Sequence, residues 1–598
     1  MPSGTNLLRD VQFPIRTRHG TLAMTLPEAL ANPDAQAISS GHPYLDAVAN
    51  NFLVCVLQTF MAPSTPRFWT DLLDHPPDRS HLVEMLGRGE ACFDLTDPHH
   101  PFMQVRFEEP TGSQRKDAKR RPEPSPQDTS TDPQDNEPTD GISDITMLLP
   151  EETSANQRLA KVGGEHFTKR DRLGELGGFA TAMLLCGMNL VGVGGGGGYF
   201  NPATKGAALA RLAMPPLADA QHALWHSVWF NVMPRTHPAL AGLFEYASAP
   251  ETIFGWMAPG LRRTRGKAPE DKSPAAVANV GFVGIDGAVT PLHPHAFMWR
   301  IARRCQLSAP HTGFCSLTGT AGQVWDKVEK QPGGPICSLT ERSWHPLIGI
   351  RRPDAKGKRS VNVGPPSGIF RALEWSAFFP EIPGGVADRE AAGMPPSTAA
   401  LADGDRRDAI NRLLRKAGQT KSPTLPLMGV ALRQDKVLEG WSEGTMRLWT
   451  GSRTVLAQVA SLLAVLQKGA AAARKVIEAA AKAAEQRAPA LRSGANARGF
   501  RAQMQANMLC AAEALHDDIG SEALDEAALI ASDTDEAEGQ FDALHLRLSR
   551  QMLEACRKVV EGADFTPLGG PLVRAAAILS AERELAACEL GLGDNGEQ

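Results

Sequence analysis

Two short stretches of this chain combine residue types that do chemistry. Residues 93–104, reading FDLTDPHHPFMQ, bring Asp94, Asp97, His99 and His100 close together. Carboxylates and imidazoles are the ligands of a hydrolytic zinc or manganese ion, and they are also the common general acids and bases. One reading is therefore a metal-dependent hydrolase. The other is a turn, because Asp-Pro and His-Pro are ordinary turn dipeptides and no further ligands cluster nearby. The second stretch, residues 191–200 (VGVGGGGGYF), contains the run Gly194, Gly195, Gly196, Gly197 and Gly198. An ordered glycine run is costly in backbone entropy and implies positive φ or a close approach of backbone to a ligand. A flexible linker has the same composition. The flanks place the run inside a domain, since Phe179–Cys186 before it and Ala207–Leu212 after it are apolar. No Gly-Lys-Ser/Thr follows, so it is not a Walker phosphate loop.

The elements that must position these stretches follow from periodicity. Asn6–Arg16 and Thr21–Leu26 alternate around Arg18-His-Gly20 and predict an N-terminal hairpin. Leu45, Val48, Phe52 and Val56 recur at helical spacing, predicting a buried helix over Tyr44–Met61 that stops at Ala62-Pro63. Residues 106–141 are dominated by Pro, Ser, Thr, Asp and Glu and cannot bury enough apolar surface to order themselves, so a disordered insertion is expected there. The polar stretch Ser154–Gly178 places Phe167 beside Lys169 and Arg170, an aromatic among cations, as in many nucleic-acid contacts. Val280–Val289, Leu292–Ile301 and Ile336–Ile350 read as short strands. After Pro395 the composition turns to alanine, leucine and charge. Apolar residues at helical spacing predict four helices, in Trp449–Arg487, Phe500–Leu515, Phe541–Val560 and Pro571–Leu590, with an acidic exposed loop over Asp517–Glu538. The expected fold class is α+β: a large mixed N-terminal domain of short β-sheets and helices over 1–428, then a C-terminal four-helix bundle over 429–598.

Bulk composition bounds the function. A chain of 598 residues is too long for one core, and its net charge of -5 gives no overall basic footprint, so any nucleic-acid contact must come from local patches. The nine cysteines are scattered without a C-x-x-C pair, as expected of reduced thiols rather than a disulfide or zinc framework. No segment has the length of apolar sequence needed to span a bilayer, so a cytoplasmic protein without a membrane partner is expected.

Five landmarks in order along the chain resemble the CasA family, the large subunit of type I-E CRISPR Cascade complexes. They are Asn6-Leu-Leu with Pro14-Ile-Arg16, Leu53-Val-Cys55 with Ala62-Pro63, His100-Pro-Phe-Met-Gln104, the glycine run, and Gly429–Glu439 (GVALRQDKVLE). The resemblance implies a non-catalytic subunit without a cofactor. It would recognise the protospacer-adjacent motif (PAM) of double-stranded target DNA and start the strand separation that lets guide RNA form an R-loop. Its implied partners are the backbone, small and crRNA-processing Cascade subunits, the guide RNA they hold, and a helicase-nuclease that docks on it. The glycine run corresponds to the family's PAM-approaching loop, and Gln434, flanked by Arg433 and Lys436, to its wedge. The minor-groove lysine corresponds to Lys327 or Lys330, the only lysines between Cys305 and Cys337. The basic region around Phe167 and Lys169 would contact guide or partner subunits. A cysteine cluster found in some relatives has no counterpart here, so no metal is implied. A metal-dependent hydrolase with a helical oligomerisation domain is the alternative from another class.

Overall fold

In the computed structural model, β1 (Phe13–Thr17) and β2 (Gly20–Met24) form the opening hairpin, with Thr17 paired to Gly20. Asn6 forms an isolated bridge to Asp94 outside the hairpin, so the strand begins later than the alternation from Asn6 predicts. The structure describes residues 4–105, 142–149, 174–190, 211–237, 240, 250–257, 281–283, 289–291, 293–301, 304–331, 343–350, 395–419, 423–433, 437–448, 453–487, 496–530, 537–563 and 571–593. The 106–141 insertion lies outside them.

Helix α1 (Leu26–Ala31) opens on Thr25, whose amide donates to the Glu28 carboxylate at 3.0 Å. β3 (Ala35–Ile38) then pairs with β1 to complete a three-stranded sheet in the order β2-β1-β3. Helix α2 (Pro43–Phe60) is the predicted buried helix; it is apolar nearly all round and so packs on every side. Phe52 on α2 lies within 6.2 Å, centroid to centroid, of Phe13, Phe93, Phe102 and Trp299, an aromatic nest assembled from four separate parts of the chain. α3 (Pro66–Asp74) and α4 (Arg79–Gly87) are short surface helices, each started by a side-chain cap: the Thr65 hydroxyl accepts from the Phe68 amide and the Asp78 carboxylate from the His81 amide.

Beyond the insertion come β4 (Ile142–Asp144), β5 (Leu176–Gly177), α5 (Gly178–Leu190), β6 (Arg211–Leu212) and α6 (Ala223–Trp229). The β-rich region supplies β7 (Gly281–Val283), β8 (Val289–Pro291), β9 (Arg304–Leu307), β10 (His311–Phe314), β11 (Ala321–Trp325) and β12 (Lys327–Gln331). These make two three-stranded sheets, β10-β11-β5 and β4-β12-β9, and a two-stranded one, β7-β8. Leu292–Ile301 is not a strand as its apolar run predicts. Its middle, Pro294–Phe297, is a 3-10 turn opened by His293, whose ring accepts from the His295 amide. Of the predicted strand Ile336–Ile350, residues 336–342 lie outside the described residues, and 343–350 form a turn rather than a strand.

Helix α7 (Gly404–Lys416) carries a buried cation into this body. The Arg406 guanidinium lies 4.3 Å from the Trp69 ring centroid and donates to the carbonyls of Phe230 and Val232. Burial lowers its pKa to about 9, partly offset by Asp403, so it remains charged at neutral pH. Truncation in Arg406→Ala orphans two buried carbonyls and empties the space over Trp69. We expect a loss of about 2–4 kcal/mol, read as a fall of several degrees in the thermal midpoint.

The hairpin β13 (Thr424–Arg433) and β14 (Val437–Arg447) precedes the bundle. The boundary drawn at 428/429 falls inside β13, whose ladder with β14 is continuous across it. The bundle itself consists of α8 (Arg453–Arg487), α9 (Asn496–Ile530), α10 (Ala537–Gly562) and α11 (Pro571–Gly593). α8 and α10 pack against each other and against both remaining helices, which leaves α9 and α11 on opposite corners. Four helices form as predicted, but Asp517–Ile530 is helix rather than acidic loop. Ala523, Ala527 and Ile530 continue the buried stripe of α9 at helical spacing, and that register outweighs the acidic composition of the segment. The main core runs from Leu7 into the near end of the bundle (Val459, Leu462, Leu548), while Val476, Ile477, Met508 and Val560 form a separate core at the far end.

Candidate nucleic-acid interface

The run of glycines is led in by α5. All of Phe179–Leu190 is buried, and α5 lies so close to α2 that a Cβ on Gly187 would stand 2.3 Å from the Tyr44 hydroxyl. Asn189 closes its last turn by donating to the Leu185 carbonyl at 2.9 Å. Gly194–Gly198 themselves lie outside the described residues, within 191–210. The chain resumes at β6, which is pinned on both sides. One edge pairs with β13, Leu212 against Leu427 and Arg211 against Met428. The other is held by Asn231, which accepts from the Leu212 amide at 2.9 Å and donates to its carbonyl at 2.8 Å, as a neighbouring strand would. Arg211 is buried near Asp46; burial lowers its pKa to about 10 and Asp46 offsets part of the fall.

This pairing sets a direction. β6 and β13 are antiparallel, so the chain coming from the glycine run enters β6 from the side toward which β13 travels. β13 travels toward Arg433, paired with Val437; Gln434, Asp435 and Lys436 between them lie outside the described residues, as does the side chain of Arg433. Past Met428, no third strand pairs with β13 among the described residues, and the hairpin continues as a two-stranded ribbon for five residues, about 17 Å at strand rise. A register shift between Ala431 and Leu432 places a bulge just before the tip, where it adds twist and re-aims the end of the ribbon. The alternation in 424–447 is a sequence signal for this ribbon, whereas the two-residue pairing of β6 to β13 has no sequence signal of its own.

The remaining candidates are distributed as follows. Lys327 and Lys330 lie on one strand, β12, at the centre of its sheet; Lys327 is opposite Asp144 and Lys330 opposite Cys305. The Lys327 ammonium is exposed and ion-paired with Asp144, which raises its pKa through that hydrogen bond and charge. An exposed pair of this kind is weak and readily exchanged for a phosphate. Phe167, Lys169 and Arg170 lie outside the described residues.

Asp94, Asp97, His99 and His100 do not converge on a metal site; among the described residues no three His, Cys, Asp or Glu come together in that way. They build a turn. The Asp97 carboxylate accepts from the amides of His99 at 2.8 Å and His100 at 2.6 Å. Burial pushes its pKa up, but the two amides outweigh this and hold it below the usual carboxylate range. Asp94 is committed to the Thr5 hydroxyl and the Thr96 amide. Gln104, at the end of the same stretch, is a buried clamp, donating to the Leu95 carbonyl and accepting from the Leu307 amide, both at 2.9 Å. Cys55, Cys92, Cys186, Cys305, Cys315 and Cys556 are buried thiols outside any disulfide, and no helix among the described residues is long and apolar enough to cross a membrane.

The fold and site thus define an α+β protein in which β6, the first described strand after the glycine-bearing segment, pairs with a long hairpin that leads into a four-helix bundle. The sequence profile of the family "CRISPR-associated protein Cse1" matches residues 6–555, and the chain belongs to that family. No match is found among curated protein sequences. Its fold is similar to that of CasA (Cse1) from Thermus thermophilus, at 15% identity and TM-score 0.52, covering 99% of this chain and 100% of that one. Cse1 from Thermobifida fusca is similar at 16% identity and TM-score 0.52, covering 98% and 97%. A chain of a structure described as a CRISPR RNA-guided surveillance complex is similar at 12% identity and TM-score 0.56, covering 98% and 100%.

Proposed function

We propose that this protein is the large subunit of an RNA-guided surveillance complex and reads a short flanking motif in duplex DNA. The observation that carries the reading is the antiparallel register of β6 with β13: the chain enters β6 at Arg211, opposite Met428, on the side toward which β13 runs to Arg433. The minor groove is about 6 Å wide and shows a degenerate acceptor pattern, so backbone amides of Gly194–Gly198 and one slender lysine suit it where larger side chains clash. Lys327 is the lysine favoured here, since its exposed ammonium is held only by a surface ion pair. Gln434 at the ribbon tip enters below the recognised pairs and keeps the strands from closing again, with Arg433 and Lys436 on the flanking phosphates. Guide RNA pairing then supplies the sequence specificity. The protein performs no covalent chemistry, and a helicase-nuclease docks on it to degrade the target.

In the assembled complex, Gln434→Ala is expected to leave recognition of the motif largely intact while slowing strand opening about tenfold, the size of a contact worth roughly 1–2 kcal/mol in unstacking a step. Permanganate footprinting of unpaired thymines next to the motif reads the opening directly. Equal opening rates for the variant and the unaltered complex would remove Gln434 from this role.

A further inference from the structure

Helix α8 presents a cationic face. Lys468, Lys475 and Lys482 are all exposed and recur every seven residues. Seven residues are two turns less about 20°, so the three cations form a line with a step of about 10.5 Å. Arg474 lies beside the middle one, and Glu478 is the only acidic residue from Lys468 to Lys482. That segment carries four cations against one carboxylate, in a chain whose net charge is -5. The opposite face of α8 is fully used: Ala473, Val476, Ile477, Ala480 and Ala484 are buried in the far core of the bundle. The line is therefore not needed for folding.

Its cations also lack the partners that other bundle cations have. Arg547 is paired with Glu526, and Arg557 with both Glu554 and Glu582. None of Lys468, Arg474, Lys475 or Lys482 takes part in an ion pair among the described residues. Besides Arg474 and Lys475, the exposed residues between Lys468 and Lys482 are Ala471 and the single carboxylate Glu478, so no large apolar side chain holds a partner away. A protein partner would need an aromatic or large aliphatic anchor on such a face, and the described exposed residues from Lys468 to Lys482 include none. Lysine is a compact point charge that binds phosphate without fixed geometry, and evenly spaced point charges match a polyanion of regular repeat.

We infer that the Lys468–Lys475–Lys482 face of α8 is a rail for the phosphate backbone of the target DNA where it leaves the hairpin ribbon. The position supports a track that leads away from the ribbon, because α8 begins six residues after β14, the second strand of the hairpin, and the line starts 15 residues into α8, about 22 Å along its axis, and runs on toward the far end of the bundle. The inference rests on the proposed function in one respect, that duplex DNA is brought to the ribbon.

The test uses the assembled complex carrying Lys468→Gln, Lys475→Gln and Lys482→Gln together. Subunit stoichiometry and guide RNA content should not change. Affinity for a target duplex at low salt should fall roughly tenfold or more, and the slope of log K against log salt should lose about 2–3 units of steepness. Preference among flanking base pairs should stay as it was, since phosphate contacts carry no sequence information. Arg550→Gln with Lys558→Gln, exposed cations on α10, should leave the slope as it was. An unchanged slope in the triple variant overturns the rail. Loss of guide RNA or of a subunit also overturns it, by assigning the face to RNA or to protein. Failure of the unaltered complex to bind duplex in a motif-dependent way refutes the proposed function instead, before any variant is compared, and takes the rail with it.

Discussion

Replacing Gly195, Gly196 and Gly197 with valine should lower the affinity of the assembled complex for a motif-bearing duplex by roughly 100-fold, the loss of about two base-pair contacts at 1–3 kcal/mol each. Two effects act together. A Cβ restricts φ to negative values at positions where glycine is free, and the branched side chain adds width that a groove of about 6 Å does not accommodate. No charge is removed, so the salt dependence of binding should keep its slope; this separates the glycine effect from the loss of phosphate contacts. Alanine at the same positions should cost less, because it adds only the Cβ. The competing reading, a flexible linker, predicts that three valines are nearly neutral. Equal affinity and unchanged motif preference in a gel-shift series with varied flanking pairs would favour the linker and withdraw the groove-reading role from the run.

The same comparison tests the geometric link between the run and the ribbon. If β6 feeds the glycine segment toward the tip of β13–β14, then shortening the ribbon should mimic the glycine variants while leaving the bundle intact. The bulge between Ala431 and Leu432 matters for the same reason: deleting Glu439, the unmatched residue opposite it, straightens the ladder and re-aims the tip.

How far each element can be read from the sequence depends on how local it is. The opening hairpin and α2 announce themselves because their periodicities are unbroken and their stop signals are strong, Gly20 in one and Ala62-Pro63 in the other. The four bundle helices are legible for the same reason. Acidic composition hides the helix at Asp517–Ile530, although Ala523, Ala527 and Ile530 keep the helical step beneath it. Leu292–Ile301 misleads because a short apolar run does not distinguish a strand from a buried turn, and the His293 ring closing on the His295 amide is a tertiary outcome. The site is legible only as separate pieces. Leu212 and Leu427 are more than two hundred positions apart, and their pairing is what relates the glycine segment to the hairpin. The paired carboxylates and histidines of residues 93–104 carry the chemistry of a metal site in type but not in arrangement, because Asp97 is spent on the amides of its own turn.

Acid should destabilise the α+β body steeply, and three buried imidazoles are the cause. Burial pushes the pKa of His226 down to about 4, against the opposing hydrogen bond to the Leu73 carbonyl. Burial also takes His345 to about 3, helped by Arg300, and lowers His295 strongly, helped by His293 and Arg235. All three are held neutral in the fold but take up a proton in the unfolded chain below about pH 6.5. The unfolded state then binds more protons than the native one, so stability is complete above about pH 6.5 and falls as the pH drops toward the folded pKa values. With three groups the fall approaches about 4 kcal/mol per pH unit near pH 5, at about 1.4 kcal/mol per proton. His226 stops contributing near pH 4 and His345 near pH 3. Asp46 works the other way: burial raises its pKa, so it protonates earlier in the fold than in the unfolded chain and offsets part of the loss at the acid end. Tryptophan fluorescence is a suitable readout, since Trp225, Trp229 and Trp344 lie beside these histidines. Denaturant unfolding at pH 7, 6 and 5 should show the midpoint falling in this way, and His226→Gln should remove about one third of the slope. A flat profile from pH 7 to 5 would mean that these imidazoles gain compensating partners on protonation, and the cluster would then not limit the acid stability of the fold.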